Sequence, residues 1–473
     1  MVEEVAQRPS RNHPPRCPEL HIEVPPRAAS SSTPGTSASK AGHLGGKGAT
    51  GDRRRWLNRR VPALDRFLPP TPLARRLSMQ SILFAVGEGT FLTGSAVFFT
   101  QIVGLTAFQV GLGLSISGVV AFALSVPMGK LVDRFGSKRM WAVAAALGGV
   151  SYLVYPLVHG FGAFAAIIAV QATIESAGSA GRGAYTIDVF PPAERVRSMA
   201  FMRSALNIGF TLGALLGGIA LATGSEAVIT AVPLLTAAVL GLNALLITRL
   251  PEAAHHQAGV VAPERNVTPA ALRNRGFVLL GICNGVLQSN QVLLNVVVPL
   301  WLVQETDAPH TLLAWLFGTN TVMAVLLQVP AARGSDTVAG ALRAVRLCAA
   351  SFVLSCALIM VTHDTVGWVS IVLIWLGHVT ITGAELFQSA ASWGLVSELS
   401  DPHRRGEYQG VWRLGMQVES IVGPAAFTFL ALEWGATGWV LIAAIAVAAA
   451  AVSHPAARSA ERYLAAEPAP ATA

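Results

Sequence analysis

Polar side chains of the kinds that carry protons or bind organic ligands recur inside apolar stretches of this sequence. The stretch 162–187 carries such a stripe at spacings of three or four positions: Gln171, Glu175, Ser179 and Arg182. These spacings place the stripe on one face of a helix. A charge at the centre of a membrane helix costs about 2.5–3.5 kcal/mol to insert, so it is a functional candidate by default. Glu175 is predicted to carry a coupled proton or to bind a cationic substrate.

Three further apolar stretches carry similar groups. The stretch 276–303 has a stripe of amides, 366–395 has a histidine and a glutamate seven positions apart, and 79–103 has a glutamate between two glycines. Facing stripes of this kind line a water-filled cavity. The predicted cavity residues are Glu88, Gln171, Glu175, Asn284, Gln288, Gln291, His378 and Glu385. For Glu175 and Glu385 the alternative is a buried structural ion pair, and for His378 it is a packed, uncharged ring.

A charged loop, GKLVDRFGSKR, lies between two apolar stretches at residues 129–139. Gly129 and Gly136 permit a close helix contact and a tight reversal. The Asp133 carboxylate could accept hydrogen bonds from the N-terminus of a neighbouring helix and pair with an arginine. The predicted members of this latch are Gly129, Asp133, Arg134, Gly136, Arg203 and Arg413. The alternative is that the basic residues of the loop only set membrane topology.

The composition indicates which elements position these groups. Hydrophobic residues make up 52% of the 473 residues and charged residues only 13%, with a mean hydropathy of +0.53. That is too little charge to cover the surface of a soluble protein, and stretches of about 20 apolar residues are long enough to span a membrane. Twelve such spans are predicted, in two groups of six: 79–103, 108–132, 139–158, 162–187, 198–222 and 227–248, then 276–303, 311–332, 344–362, 366–395, 408–430 and 434–453. The predicted fold class is an all-α polytopic membrane protein.

The two groups of spans are related by an internal repeat. Asp133 and Asp336 are equivalent at an offset of 203 positions, within the similar segments VPMGKLVDRFG and VPAARGSDTVA. At an offset of 210 positions, four residues of the first group match four of the second: Glu175, Arg195, Arg203 and Gly213 with Glu385, Arg405, Arg413 and Gly423. Transporters use such repeats to build a site at the membrane midplane.

The loop at 129–139 resembles the G-x-L-x-D-R-x-G-x-K-R signature of the major facilitator superfamily, and it lies between the second and third spans as in that family. The resemblance covers about residues 78–455 and implies two six-helix pseudo-repeats. The segment GFTLGALLGG, with Gly209, Gly213 and Gly217, is similar to a pattern of the family's drug:proton antiporters, but Ala214 replaces its proline. Gly423 and Pro424 restore the Gly-Pro pair in the second half. All five are predicted to serve helix packing.

The predicted domains are a disordered basic tail (1–77), a six-helix half (78–249), a central linker (250–275), a second half (276–455) and a C-terminal tail (456–473). Lys and Arg concentrate in alternate connections, and such loops stay on the cytoplasmic side. The protein is therefore predicted to lie in the cell membrane with both termini cytoplasmic. Its net charge of +8 reflects this rule, so we expect no nucleic-acid partner.

The predicted function is secondary active transport, by proton-coupled efflux of small amphipathic organic compounds through alternating access. The alternatives are a proton-coupled importer of a sugar or organic acid, and a non-transporting receptor on the same fold. We expect no enzyme activity, because catalytic clusters are missing from the sequence, and no phosphate-binding GxxxxGK[ST] motif supports ATP-driven pumping. We expect no cofactor or metal site. The expected partners are a small-molecule substrate, protons and the lipid bilayer, and the protein is expected to be a monomer.

Overall fold

The computed structural model describes residues 68–253 and 270–466, and every predicted span falls on a helix. The helices of the first half are α1 (Pro72–Val97), α2 (Ala107–Phe135), α3 (Ser137–Val154), α4 (Gly160–Val189), α5 (Pro192–Ala222) and α6 (Glu226–Thr248). A π-helical turn (Phe98–Ile102) extends α1. The predicted disorder of the N-terminal tail and most of the central linker fall on residues outside the described ranges.

The second half repeats this order with more irregular helices. They are α7 (Arg275–Gln288), α8 (Leu312–Leu326), α9 (Val338–Met360), α10 (Trp368–Glu398) and α11 (Arg405–Ala466). Beyond α7 the chain continues through Asn290–Val292, a π-helical turn (Leu293–Val297) and Val298–Glu305, and beyond α8 through Gln328–Ala331. Gly435, at φ 50°, breaks α11 into two helical parts. In the described residues, nine helices are long and apolar enough to cross a membrane, so the count of twelve stays a prediction.

Hydrogen-bonding caps fix several helix starts. Thr71 Oγ1 accepts from the Ala74 N–H at 3.2 Å, and Thr106 closes a capping box with Gln109 at the start of α2. Asn274 caps α7 by accepting from the Phe277 N–H at 3.1 Å. Each cap satisfies an N–H that has no partner inside the helix.

Two helices extend beyond the predicted boundaries of the halves. The N-terminal tail was predicted to reach residue 77, but α1 begins at Pro72, because the Thr71 cap and a proline in the first turn start the helix there. The second half was predicted to end at 455, but α11 continues to Ala466. Its last turns pack closely on Gly276, where an added Cβ would lie 2.7 Å from the Ala456 carbonyl oxygen.

The glycine stripe of α5 packs against α1. A Cβ added at Gly209, Gly213 or Gly217 would lie 2.5–2.6 Å from backbone oxygens of α1. Real Cβ atoms do not approach oxygens that closely, so only glycine lets the two backbones touch. Gly423 occupies the equivalent place in α11, where an added Cβ would lie 3.2 Å from a Val292 methyl group. The repeat therefore reproduces the helix pair α1–α5 as α7–α11.

Large apolar side chains are exposed around the helices. They include Met79, Phe108, Leu147, Leu157, Leu215, Trp315 and Val440. A soluble protein rarely exposes so much contiguous apolar surface. This belt is the surface that a lipid bilayer would cover.

The contact between α1 and α5 gives a testable prediction. Gly213→Ala should destabilise the protein by about 1–3 kcal/mol, because the new methyl group overlaps the backbone of α1. Gly218→Ala is the matched control, since nothing lies within 4 Å of its added Cβ. That variant should be neutral or stabilised by up to about 1 kcal/mol, since alanine favours a helix over glycine. Thermal unfolding in detergent measures both, and equal Tm values would refute the packing role.

Candidate functional site

A cavity of about 320 Å³ lies between the two halves. Helices α4 and α5 of the first half and α7, α10 and α11 of the second supply its wall. Its polar lining residues are Ser179, Arg182, Thr186, Arg203, Gln288, Gln291, Gln388, Ser389, Ser392, Gln409 and Arg413. Its apolar lining residues are Met199, Met202, Leu206, Trp393, Val396, Trp412 and Met416. The combination of amides, guanidinium groups and large apolar side chains suits an amphipathic organic ligand.

The cavity contains part of the predicted set. Gln288 and Gln291 line it as predicted cavity residues, and so do Arg203 and Arg413, which the sequence analysis placed in the latch. Ser179 and Arg182, from the stripe of α4, also line it. The sequence did not single out Gln409, although it lies four positions before Arg413 on the same face of α11.

Four predicted cavity residues bond elsewhere or are packed. Glu88 accepts a hydrogen bond from the Tyr152 hydroxyl at 3.3 Å, and Gln171 accepts one from Ser151 Oγ at 2.5 Å. Asn284 is buried and accepts from Gln388 Nε2 at 2.9 Å. His378 is 1% exposed. These side chains support the helices around the cavity and are outside its lining.

An ion pair beside the cavity joins the halves. Arg203 of α5 lies 3.5 Å from the Glu385 carboxylate of α10. Glu385 also accepts a hydrogen bond from Asn320 Nδ2 at 3.0 Å. A carboxylate that is 5% exposed is stable in such a place only when charged and polar partners satisfy it.

The residues equivalent to Arg203 and Glu385 in the repeat also interact electrostatically across the halves. Glu175 is offset from Glu385 by 210 positions, and Arg413 is offset from Arg203 by the same amount. The Glu175 charge acts on Arg413, although the two make no direct ion pair like that of Arg203 with Glu385. Glu175 is exposed and also interacts electrostatically with Glu88. Its charge therefore acts on groups of both halves.

The sequence analysis did not name Glu419, which lies in α11 outside the cavity lining. One carboxylate oxygen, Oε1, is buried without a hydrogen-bond partner among the described residues, and it would lie 3.0 Å from a Cβ at Gly423. A lone carboxylate within the apolar stretch 408–430 was the available signal.

Asp133 joins the two halves at one end of the bundle, which we call the latch end. Its Oδ1 accepts from the Gly406 N–H at 2.6 Å, and its Oδ2 accepts from the Glu407 N–H at 2.8 Å. Both donors belong to the first turn of α11, where the helix dipole favours a negative charge. An added Cβ at Gly129 would lie 3.0 Å from Glu407 Cα, so this glycine lets α2 and α11 approach. Gly136, at φ 101°, makes the reversal into α3.

Two further ion pairs join the halves at the latch end, each between an arginine of one half and an acid of the other. Arg405 of the second half lies 2.5 Å from Asp188 of the first, and Arg195 of the first half lies 3.5 Å from Glu398 of the second. The residues of one pair are offset from those of the other by 210 positions. The latch end therefore follows the pseudo-symmetry of the repeat.

The second copy of the loop takes a weaker form of the same contact. The Asp336 carboxylate lies near the backbone N–H of Val196 at the start of α5, but its Oδ1 is buried without a hydrogen-bond partner among the described residues. Desolvation raises the pKa of Asp336 above its ordinary value, while nearby backbone N–H groups and the Arg195 charge oppose that rise. Asp133 thus accepts two backbone N–H bonds, whereas Asp336 Oδ1 accepts none from the described residues.

Arg134 takes no part in these contacts. It is exposed, and its guanidinium lies 5.4 Å from the Phe135 ring. The arginine that pairs across the halves beside Asp133 is Arg405. Lys138 bonds within the first half, 3.0 Å from Glu252. The predicted membership of Arg134 in the latch is thus without a supporting contact in this conformation.

Comparison with known proteins identifies the family. The model of the Major Facilitator Superfamily matches residues 77–388 and 280–471. The chain belongs to the major facilitator superfamily. This confirms the resemblance seen in the loop 129–139, and the chain is a multi-pass membrane transporter, not an enzyme.

Relatives and solved structures of this superfamily agree. The multidrug resistance protein MdtH of Yersinia pestis (strain Pestoides F) is 23% identical over 352 residues, 73% of this chain and 84% of MdtH. A bacterial homologue of the iron transporter ferroportin, in an outward-facing state, superposes with a TM-score of 0.63 at 13% identity over 84% of this chain and 100% of its own. The transporter FucP in the outward conformation superposes with a TM-score of 0.61 at 15% sequence identity, over 82% of this chain and 98% of its own. The two structures show the shared fold.

The Asp133 contact predicts a change in conformational balance. Asp133→Asn removes the charge and keeps only one acceptor oxygen, so the equivalent of one charge-assisted bond, about 1.5–3 kcal/mol, is lost. The closed latch end should lose population about ten- to a hundredfold against the open one. Spin labels on cysteines at Arg134 and His403, at the ends of α2 and of the turn before α11, would report this as longer distances.

Asp336→Asn is the matched control for that experiment. It makes the same chemical change at the equivalent place, where Asp336 Oδ1 has no hydrogen-bond partner among the described residues, so its distance shift should be smaller. If Asp133→Asn keeps the parent distance distribution and transport rate, the loop is only a topology signal.

Proposed function

We propose that this transporter exports small amphipathic organic compounds in exchange for protons, by alternating access. The cavity carries the proposal, because it lies between the two halves and combines hydrogen-bonding groups with methionine and tryptophan side chains. The multidrug resistance relative supports a broad set of organic substrates. Methionines suit such a set because their flexible side chains repack around different shapes.

The contacts between the halves support alternating access. Within the described part of the chain, their hydrogen bonds and ion pairs gather at the latch end and around the cavity. Opening the latch end exchanges these bonds for water. We assign the latch end to the cytoplasmic side, since Lys130, Arg134, Lys138 and Arg139 lie there and basic loops are retained in the cytoplasm. The described conformation is then the outward-facing one.

The carboxylates near the cavity supply the proton coupling. Protonating a carboxylate removes the attraction that holds an arginine of the other half. Glu175 is the proposed carrier, because it is exposed and its charge acts on Arg413. Glu385 is buried and bonded by Arg203 and Asn320, which suits a structural role. A proton on Glu175 would weaken one of the two cross-half attractions and favour rearrangement.

A proton-coupled importer is the second candidate. The structural neighbours include a fucose:proton symporter of E. coli, FucP, with a TM-score of 0.61. The same cavity and carboxylates serve either direction. What separates them is whether substrate and proton move in opposite directions or together.

Vesicle transport tests the proposal. Inside-out vesicles with an acidic interior should accumulate substrate from a panel of organic compounds, and collapsing the pH gradient should stop accumulation. Glu175→Gln should lose gradient-driven accumulation by about tenfold or more while keeping substrate exchange, because the neutral amide cannot carry the proton. Glu226→Gln, at an exposed position in the first turn of α6, is the matched control and should behave as the parent.

The outcomes separate the candidates. Accumulation only when the pH gradient is reversed would favour the importer. Parent-like pH dependence in Glu175→Gln would remove Glu175 from proton coupling, and the absence of gradient-dependent flux for every compound would overturn proton-coupled export.

A further inference from the structure

The charge of the cavity wall is unbalanced. Of the described residues that line the cavity, three are arginines and none is a carboxylate: Arg182, Arg203 and Arg413. Three guanidinium groups around about 320 Å³ of space repel one another. The partners of each arginine decide whether this charge is neutralised.

Two of the arginines have carboxylate partners outside the lining. Arg203 pairs with Glu385 at 3.5 Å, and the Glu175 charge acts on Arg413. Each of these carboxylates belongs to the other half of the molecule from its arginine. The two acids therefore offset two of the three positive charges.

Arg182 has neutral partners instead. Its Nη2 donates to Ser81 Oγ at 3.0 Å, and its guanidinium lies 5.8 Å from the Phe84 ring. The charge that acts on it is the like charge of Arg203. A guanidinium has five N–H donors, so Arg182 keeps donors available on its cavity side. One positive charge of the cavity is left for a ligand to balance.

We propose that the cavity binds organic anions, with a carboxylate or similar headgroup held by Arg182 between Arg203 and Arg413 and an apolar body against the methionines and tryptophans. This assignment rests on the proposed transport function and names its substrate class. A planar guanidinium binds a carboxylate through two parallel N–H bonds, which gives orientation as well as affinity.

The apolar part of the wall fits the rest of such a ligand. Trp412 donates its indole N–H to Ser392 Oγ at 3.0 Å, which satisfies the polar edge of the ring and leaves its apolar surface for contact. Met199, Met202 and Met416 supply adaptable contacts around it. The volume suits a body of aryl or short alkyl size.

The sequence alone pointed to the opposite charge. One predicted role of Glu175 is to bind a cationic substrate, the other is to carry a proton, and Glu88 is expected to favour cationic or hydrogen-bonding substrates. The structure puts both outside the cavity lining, with the Tyr152 hydroxyl donating to Glu88. The acids lie around the site while the arginines line it.

A matched set of probes tests the charge preference. Phenylbutyrate, phenylbutanol and phenylbutylamine share an apolar body and differ in an anionic, neutral or cationic head. Isothermal titration calorimetry on the purified full chain in detergent should give the lowest Kd for phenylbutyrate. Equal Kd values for the three probes, or tighter binding of phenylbutylamine, would overturn the proposal.

Variants assign the headgroup site. Arg182→Gln should weaken phenylbutyrate binding about ten- to a hundredfold and leave phenylbutanol unchanged, since a charge-assisted pair is lost only for the anion. Arg182→Lys should restore part of the affinity, because it keeps the charge but not the two-pronged geometry. Arg343→Gln, an exposed arginine outside the cavity lining, is the matched control and should bind as the parent. An unchanged phenylbutyrate Kd in folded Arg182→Gln would refute the role of Arg182.

The binding measurement is independent of transport. If Arg182→Gln does not fold, the comparison of the three probes on the parent protein still decides the charge preference. Preferential phenylbutyrate binding without proton-driven flux would refute the export proposal and leave the anion site standing. Proton-driven flux of other compounds, without preferential binding of phenylbutyrate, would refute the anion site and leave the export proposal standing.

Discussion

The two halves of this transporter are held together by charges that lie where water is scarce. The Asp133 carboxylate accepts two N–H bonds from the first turn of α11, and Arg405 pairs with Asp188 beside it. A carboxylate removed from water is stable only while such partners remain in place. Each bond that joins the halves must therefore be replaced by water or a proton when they separate. This requirement makes the interface a two-state contact.

The repeat gives that interface its pattern and its asymmetry. The ion pair of Arg195 with Glu398 repeats that of Arg405 with Asp188 at an offset of 210 positions. The copies have nevertheless diverged. Asp133 accepts two backbone N–H bonds, whereas Asp336 Oδ1 has no hydrogen-bond partner among the described residues. Arg203 makes a direct ion pair with Glu385, whereas Arg413 interacts with Glu175 only at longer range.

The divergence matters most at the cavity. Arg182 has no counterpart in the repeat, since the residue at an offset of 210 positions is Ser392, which also lines the cavity. The lining thus has an odd guanidinium that the cross-half acids do not balance. A symmetric pair of halves would offer matched charges, whereas this one offers a net positive site beside methionine and tryptophan side chains. In the proposed mechanism, the diverged position Arg182 selects the substrate. The ion pairs that both copies have kept close the latch end.

The sequence by itself determined the helical spans, the repeat and the chemistry of the loop 129–139, because hydropathy and residue spacing act locally along the chain. It also placed Gln171 and Glu175 on one face of α4. Only the tertiary structure decided where that face points, with Gln171 bonded to Ser151 of α3 and Arg182 turned into the cavity. Helical periodicity fixes positions around one helix axis. The rotation of each helix against its neighbours is set by packing, such as the contact of the α5 glycines with α1, and no single stretch of sequence encodes it.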